Sequence, residues 1–386
     1  MSIKSKTNNR MYYFDYLRVF IITLVVLLHS LLPHVHGYEW YVNDTPKSDL
    51  FGLLSLLIDV FIMPIMFFIA GYFCYYSLKK YGAKLFITKK SKRILLPFVV
   101  GVIFLSPIMN YFYALEYISP NLSYFEYWTN LYFNNFIQAE HAGHYWFLSS
   151  LFVFYLAFVV IYRLNKDKID SMYNSQSISK NELNKFLIGF FALGILSFFL
   201  VSQFSADDSW VSILNLLVFQ PTRWTIYILY FSFGIFAYLN KIKITTAMTK
   251  KLPFFLISTA ILSILYLAFK INFMTLANKT RPLQLLNAFL HFSLCFLIFS
   301  SLLLFFKKYL DKPFKILNRL AVNSYRIYFI HMIILVILQY YLLNFNIAIS
   351  TKFMLVFVAS FIFSYLFSEL YIKLYQQLKK SIQNLV

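Results

Sequence analysis

The chain has 386 residues, of which 60% are hydrophobic and 13% charged, with 46 phenylalanines and 31 tyrosines. That is more apolar surface than a water-soluble core of this length needs, and unbroken apolar runs of about 20 residues argue against a β-barrel, whose strands alternate. The net charge of +20 does not point to nucleic acid, because the lysines and arginines are sorted between alternate connections instead of gathered in one patch.

Taken in order, the apolar runs predict ten membrane-spanning helices at 12–33, 51–77, 94–114, 146–163, 186–202, 210–239, 252–271, 284–306, 321–343 and 353–375. The expected fold is all-α: a polytopic integral-membrane bundle, one membrane domain over residues 1–386, with no appended soluble domain. The first run is read as a retained helix and not a signal peptide, being long, carrying Arg18 and lacking a small-residue cleavage site. The sixth run is too long for one straight crossing and contains Gln220-Pro221. Proline removes a backbone donor and disfavours helix in the residue before it, so a kink or break is expected there, with 210–219 as a separate re-entrant piece. The 78–93 connection holds seven lysines and arginines and the 115–145 connection none. By the positive-inside rule both termini are cytoplasmic, 78–93 is a basic cytoplasmic loop, and the chain is a multi-pass protein of the cell (inner or plasma) membrane. Cys74 and Cys295 both fall inside spans and offer neither a disulfide framework nor a metal-binding spacing.

Ionisable residues within membrane spans are costly, so each is a candidate functional group. Arg18 and His29 stand eleven residues apart in the first span, which puts both on one helical face, roughly 16 Å apart along the axis. Arg18 has two readings, a side chain snorkelling to the cytoplasmic margin or a clamp for a phosphate or carboxylate. His29 likewise is either a hydrogen-bonded core histidine or a general base. Asp59 lies in the second span, paired with Arg223 or His29 as a lock or orienting a catalytic imidazole. His144 and Trp146 stand at the outer mouth of the fourth span; Arg223 follows the Pro221 break. Ser324, Arg326 and His331 lie in the ninth span and Glu369 in the tenth. His29, His34 and His36 have no cysteine or close carboxylate beside them, so no metal is expected. On residues alone, the arrangement fits either a transferase moving a group across the bilayer or a proton-coupled transporter or flippase for a glycan or small acid.

The segments carrying these residues resemble a known family. Arg18 and His29 in "DYLRVFIITLVVLLHS" are similar to the Arg-x10-His signature of the membrane acyltransferase-3 superfamily. "FFIAGYF" at 67–73, "KRILLPF" at 92–98, "HYWFL" at 144–148 and "SYRIYFIH" at 324–331 resemble further family segments in the same order. Ala70 departs from the pattern, where the family usually has serine before the glycine. "HYWFL", the late histidine and "SEL" at 368–370 resemble especially the branch that succinylates periplasmic glucans.

The resemblance implies an O-acyltransferase that moves an acetyl or succinyl group from cytoplasmic acyl-coenzyme A to a hydroxyl of an extracytoplasmic or lipid-linked carbohydrate. It makes acetyl- or succinyl-coenzyme A a co-substrate and not a tightly bound cofactor, with its phosphates near Arg18, Lys92, Arg93 and the basic 78–93 segment. It makes His29 the base or the acyl carrier. Asp59, Trp146, His144, Arg223, His331 and Glu369 would orient His29 or line the acceptor side. A succinyl donor would need one further cation, for which Arg223 and Arg326 are the available residues. Expected partners are the glycan acceptor and membrane lipid; either the acceptor comes to the membrane face, or a separate glycan-pathway protein carries the acyl group onward. The aromatic 110–133 stretch would stack sugar rings or belong to an interfacial belt.

Overall fold

The computed structural model describes residues 10–134, 142–175, 177–214, 216–277 and 280–383. Ten long helices follow one another: α1 Tyr12–Leu31, α2 Asp49–Tyr72, α3 Cys74–Tyr117, α4 Trp146–Leu164, α5 Lys180–Ser202, α6 Pro221–Leu239, α7 Leu252–Ala277, α8 Arg281–Tyr309, α9 Lys315–Leu342 and α10 Ile349–Gln383. Among the described residues nine of these are long and apolar enough to cross a membrane. The remaining one, α6, has 19 residues with Thr222 and Arg223 in its first turn, so it is more polar; at 1.5 Å per residue it still reaches about 28 Å, close to the thickness of the hydrocarbon layer. The fold is an all-α polytopic membrane bundle.

The helices pack in a chain of neighbours. α10 lies on α9, α9 on α1, α1 on α2, α2 on α6, α6 on α5, α5 on α8 and α8 on α7. α3 closes the bundle against α4 and α9. The α2–α6 pair is the most extensive of these contacts, and two glycines make it possible. A Cβ on Gly71 would lie 2.0 Å from the Phe231 carbonyl oxygen, and one on Gly234 would lie 2.1 Å from that of Phe68. Small residues let membrane helices approach backbone to backbone. That is the physical role of the glycine in "FFIAGYF". Ala70 beside it is half-buried against the core. Phe68, Tyr230, Phe233 and Phe299 fill the space around the crossing with edge-on rings, and Phe67 stacks on Tyr227. α5, α7 and α10 turn apolar side chains outward, among them Leu193, Leu196, Ile261, Ile264, Phe363 and Leu366. In a membrane protein such faces meet lipid tails.

Two sequence expectations need correction. The basic stretch 78–93 is not a loop. It belongs to α3, which starts at Cys74, kinks at Gly82 (φ 72°) and continues with two π-helical turns, Ser91–Leu95 and Gly101–Leu105. Its lysines are good helix formers with long apolar stems, and they lie over aromatic rings: Lys89 is 4.1 Å from the Tyr81 ring centroid and Lys90 is 4.0 Å from that of Tyr155. Tyr75, Leu78 and Phe86 of the same stretch are buried. The segment is thus amphipathic, which is why a count of charges alone reads it as a loop.

The other correction concerns the sixth run. Residues 210–219 hold a small antiparallel hairpin, β1 Val211–Ile213 with β2 Leu217–Phe219, paired Val211 to Phe219. The helix then begins with Pro221 at its first position, where the missing N–H costs nothing. The expected break is present, and the piece before it is a hairpin packed on α4.

The two ends of the bundle differ in chemistry. The end bearing the N-terminus of α1 also carries Arg10, Arg18, Lys92, Arg93, Lys307, Lys312 and Arg319. At the opposite end, the segment 35–48 folds over the helices and is tied to α10 by Lys352 Nζ, 2.9 Å from Asp44 Oδ2, with both groups buried. The aromatic segment after α3 is pinned there as well. Tyr111 Oη donates to the Leu122 carbonyl at 2.7 Å and Tyr132 Oη to that of Val102 at 2.6 Å.

Candidate active site

A chamber of about 700 Å³ opens at this second end. His29, Tyr113 and Met332 reach it from the helices, Tyr38 to Tyr41 from the segment after α1, Tyr127 and Tyr132 from the aromatic segment after α3, His144 and Trp146 from the start of α4, and Asp208 and Trp210 from the stretch leading into the hairpin. Its walls are mostly aromatic, with a few convergent polar groups, as in small-molecule sites generally.

Three histidines meet at its base. His29 Nδ1 is 3.1 Å from His331 Nε2, with the two rings within 9° of parallel. His331 Nδ1 is 2.7 Å from the carbonyl oxygen of Tyr328. A carbonyl can only accept, so Nδ1 of His331 carries the hydrogen and, in the neutral ring, its Nε2 is a lone pair. His29 must then donate from Nδ1, which leaves Nε2 of His29 as the unprotonated, proton-accepting nitrogen. The sequence of bonds fixes a tautomer suited to a general base.

The surroundings hold His29 in place. Its ring stacks on Trp40 at 5.4 Å between centroids, Trp40 Nε1 donates to Gln339 Oε1 at 2.9 Å, and Gln339 Nε2 donates to the His29 carbonyl at 3.0 Å. Tyr328 works in two directions: its carbonyl orients His331 while its hydroxyl donates to the carbonyl of His144. The His144 ring lies edge-on to His331 at 5.0 Å and is only 6% exposed. Tyr38, on the chamber wall, has its hydroxyl pushed up to about 12, by burial first and then by the Asp59 carboxylate. It therefore stays a protonated hydrogen-bonding group.

Arg18 sits at the other end of α1. Its Nη2 is 3.0 Å from Asp15 Oδ1, its Nε donates to Ser324 Oγ at 3.2 Å, and the guanidinium is about one-third exposed. Asp15 is shared with Arg10 at 2.8 Å. Lys92 and Arg93 are exposed at the same end, where Tyr325 Oη donates to the Arg93 carbonyl at 2.8 Å. The structure therefore groups Arg18 with the α3 basic residues and His29 with His144, Trp146 and His331.

Three of the expected site residues are elsewhere. Asp59 accepts from Arg223 Nη1, so it orients Arg223 and not His29. Arg223 lies 3.8 Å from Asp207 Oδ1, and Asp207 Oδ2 is 2.5 Å from Lys270 Nζ and 3.4 Å from Asn287 Nδ2. Burial alone would raise the Asp207 carboxyl; Lys270, Arg223 and His291 override it and hold it far below the usual carboxylate range. Glu369 belongs to the basic end. Its Oε1 accepts from Arg319 Nε and from Asn323 Nδ2, both at 2.6 Å, which places it near Arg18 and away from the chamber. Arg326 turns outward over the Tyr371 ring. Each of these polar groups found a structural partner, which depth along a helix does not reveal. His34 and His36 are turned to Asp44 and Asp49, at 3.9 and 3.6 Å.

Tyr328, Gln339, Trp40 and the wall residues Glu39, Asp208 and Trp210 were not singled out in the sequence. Gln339 had a usable signal, an amide in an otherwise apolar span. Tyr328 is one of many tyrosines within the spans, and the others lie in connecting segments, where one polar or aromatic residue is unremarked among many.

Buried imidazoles at the base of an aromatic chamber, inside a bundle of membrane-length helices, define a multi-pass membrane protein with a histidine-based chamber. The chain belongs to the Acyl_transf_3 family: the family's model, described as an acyltransferase domain, matches residues 11–369. It is an acyltransferase acting on groups other than amino-acyl groups. No curated protein and no solved structure matches the chain.

Proposed function

We propose that this acyltransferase takes an acyl group from cytoplasmic acyl-coenzyme A and places it on a hydroxyl of an extracytoplasmic or lipid-linked carbohydrate, in the cell membrane. The observation that carries the reading is the His29–His331 bond, because it leaves the free nitrogen of a buried imidazole at the wall of an aromatic chamber. Aromatic faces stack on sugar rings, and the chamber is large enough for a monosaccharide unit or two.

In this mechanism the basic end faces the cytoplasm by the positive-inside rule. Arg18, with Lys92 and Arg93 nearby, binds the anionic coenzyme A moiety, as guanidinium groups bind phosphate. The acceptor enters from the opposite end. His29 Nε2 takes the proton of its hydroxyl as the oxygen attacks the thioester carbonyl carbon. A carbon–oxygen bond forms, the carbon–sulfur bond breaks, and the thiolate recovers a proton to leave as free coenzyme A. His331 stabilises the imidazolium through the His29 Nδ1–H. The glycan acceptor and a further glycan-pathway protein are the expected partners.

The test uses purified protein in nanodiscs and a panel of acyl-coenzyme A thioesters, with free coenzyme A as the readout, for the wild type and His29→Ala. Turnover of at least one thioester that is lost in His29→Ala is expected. A folded protein that neither binds nor cleaves any of them would overturn the reading.

A further inference from the structure

The chain carries a net charge of +20, yet its chamber is charged the other way. The described lining contains two carboxylates, Glu39 and Asp208, and no lysine or arginine. Lys47, on the same end of the bundle, donates to the Pro33 carbonyl and is not part of the lining.

The cations nearest in depth are already neutralised. Arg223 lies between Asp59 and Asp207, and Lys270 is on Asp207, so two carboxylates balance two cations within this network. Arg326 faces outward. His144 also lines the cavity and is only 6% exposed. An imidazole so placed can exchange hydrogen bonds with a thioester oxygen or a sugar hydroxyl, neither of which brings charge.

We infer that Glu39 and Asp208 are specificity-determining residues that make the chamber select uncharged acyl groups and reject acyl groups ending in a carboxylate. The inference rests on the acyl-coenzyme A reading above. An acyl chain presented to His29 points its far end into the chamber, where a terminal carboxylate would meet two like charges and no free cation. Glu39 and Asp208 are exposed to the chamber's water, so each like-charge contact is screened and modest, and the two add. This removes the basis for the succinyl alternative, which needed Arg223 or Arg326 to be free.

The experiment compares butyryl- with succinyl-coenzyme A, which match in acyl chain length and differ in the terminal carboxylate. Coenzyme A release is measured in nanodiscs for the wild type, Glu39→Gln and Asp208→Asn. In the wild type, kcat/KM for the succinyl thioester is expected to be lower by roughly fivefold to twentyfold. Each variant should narrow that ratio by roughly twofold to fivefold. Because each variant is compared with itself, partial loss of folded protein does not alter the ratio. Equal turnover of the two thioesters by the wild type would overturn the inference. So would a preference that neither variant changes, since the discrimination would then lie elsewhere. If no thioester is bound or cleaved by folded protein, the acyl-coenzyme A reading itself falls, and this inference with it.

Discussion

Replacing His331 with phenylalanine tests the central geometric argument. The change removes the acceptor 3.1 Å from His29 Nδ1 and keeps a flat ring of similar size in the buried position. His29 then has a buried N–H without a partner, at a cost of about 1–3 kcal/mol for an unsatisfied group. It also loses the bond that decides which nitrogen carries the hydrogen. If that cost is felt in the transition state, where His29 becomes an imidazolium, the rate falls by a factor of about 5 to 150. That is less than the roughly 10² to 10⁴ supplied by a general base as a whole, so His331→Phe should be slow and His29→Ala close to inactive. The effect should fall on kcat with KM for the thioester little changed, because Arg18 and the basic end are untouched. His331→Gln should recover part of the loss, since its amide oxygen can accept from His29. The assay is coenzyme A release at saturating thioester across a pH series, on protein shown by size exclusion to be monodisperse. A kcat within twofold of wild type for His331→Phe, with His29→Ala inactive, would refute a positioning role for His331.

Other expectations follow from the packing and the charges. Gly71→Ala should destabilise the protein by about 1–3 kcal/mol, because the new methyl meets the backbone of Phe231 and a helix must shift. Gly189→Ala, where nothing lies within 4 Å, should be neutral or stabilising by up to about 1 kcal/mol; thermal unfolding in detergent compares the two. Asp207→Asn should cost about 3–5 kcal/mol by leaving Lys270 buried beside a neutral amide. Adding Lys270→Met should return much of that stability, and failure to do so would mean that Asp207 acts mainly through Arg223. Arg18→Gln should raise KM for the thioester about tenfold, with Arg18→Lys recovering only part. An unchanged KM in both would move donor binding to Arg93 and its neighbours.

Much of the architecture was legible because a membrane span writes itself as an apolar run long enough to cross. The ten helices, the break before Pro221 and the pairing of Arg18 with one end of α1 and His29 with the other all follow from run length and helical pitch. What failed did so for physical reasons. The lysines of 79–93 lie along a helix with their stems over aromatic rings, so their charge count imitates a loop. Residues 210–219 are apolar enough to continue a span, but a hairpin satisfies their backbone locally. Asp59 was expected to pair with Arg223 or His29 or to orient a catalytic imidazole, and the pair with Arg223 is what formed; Glu369 was expected to orient His29 or line the acceptor side. An arginine on a neighbouring helix claimed each of them, and such partners depend on rotation and neighbour choice that one sequence does not state. His331, by contrast, was named from its segment and lies against His29.

The chain has five tryptophans, and three of them, Trp40, Trp146 and Trp210, line the chamber, with Trp40 stacked on His29 itself. Three of the five indoles therefore form part of the wall against which an acceptor would rest. The molecule carries its own optical reporter. A change in intensity or colour as sugars are titrated would register filling of the chamber before any acyl group has moved, and Trp128 and Trp224, outside the lining, supply the internal reference.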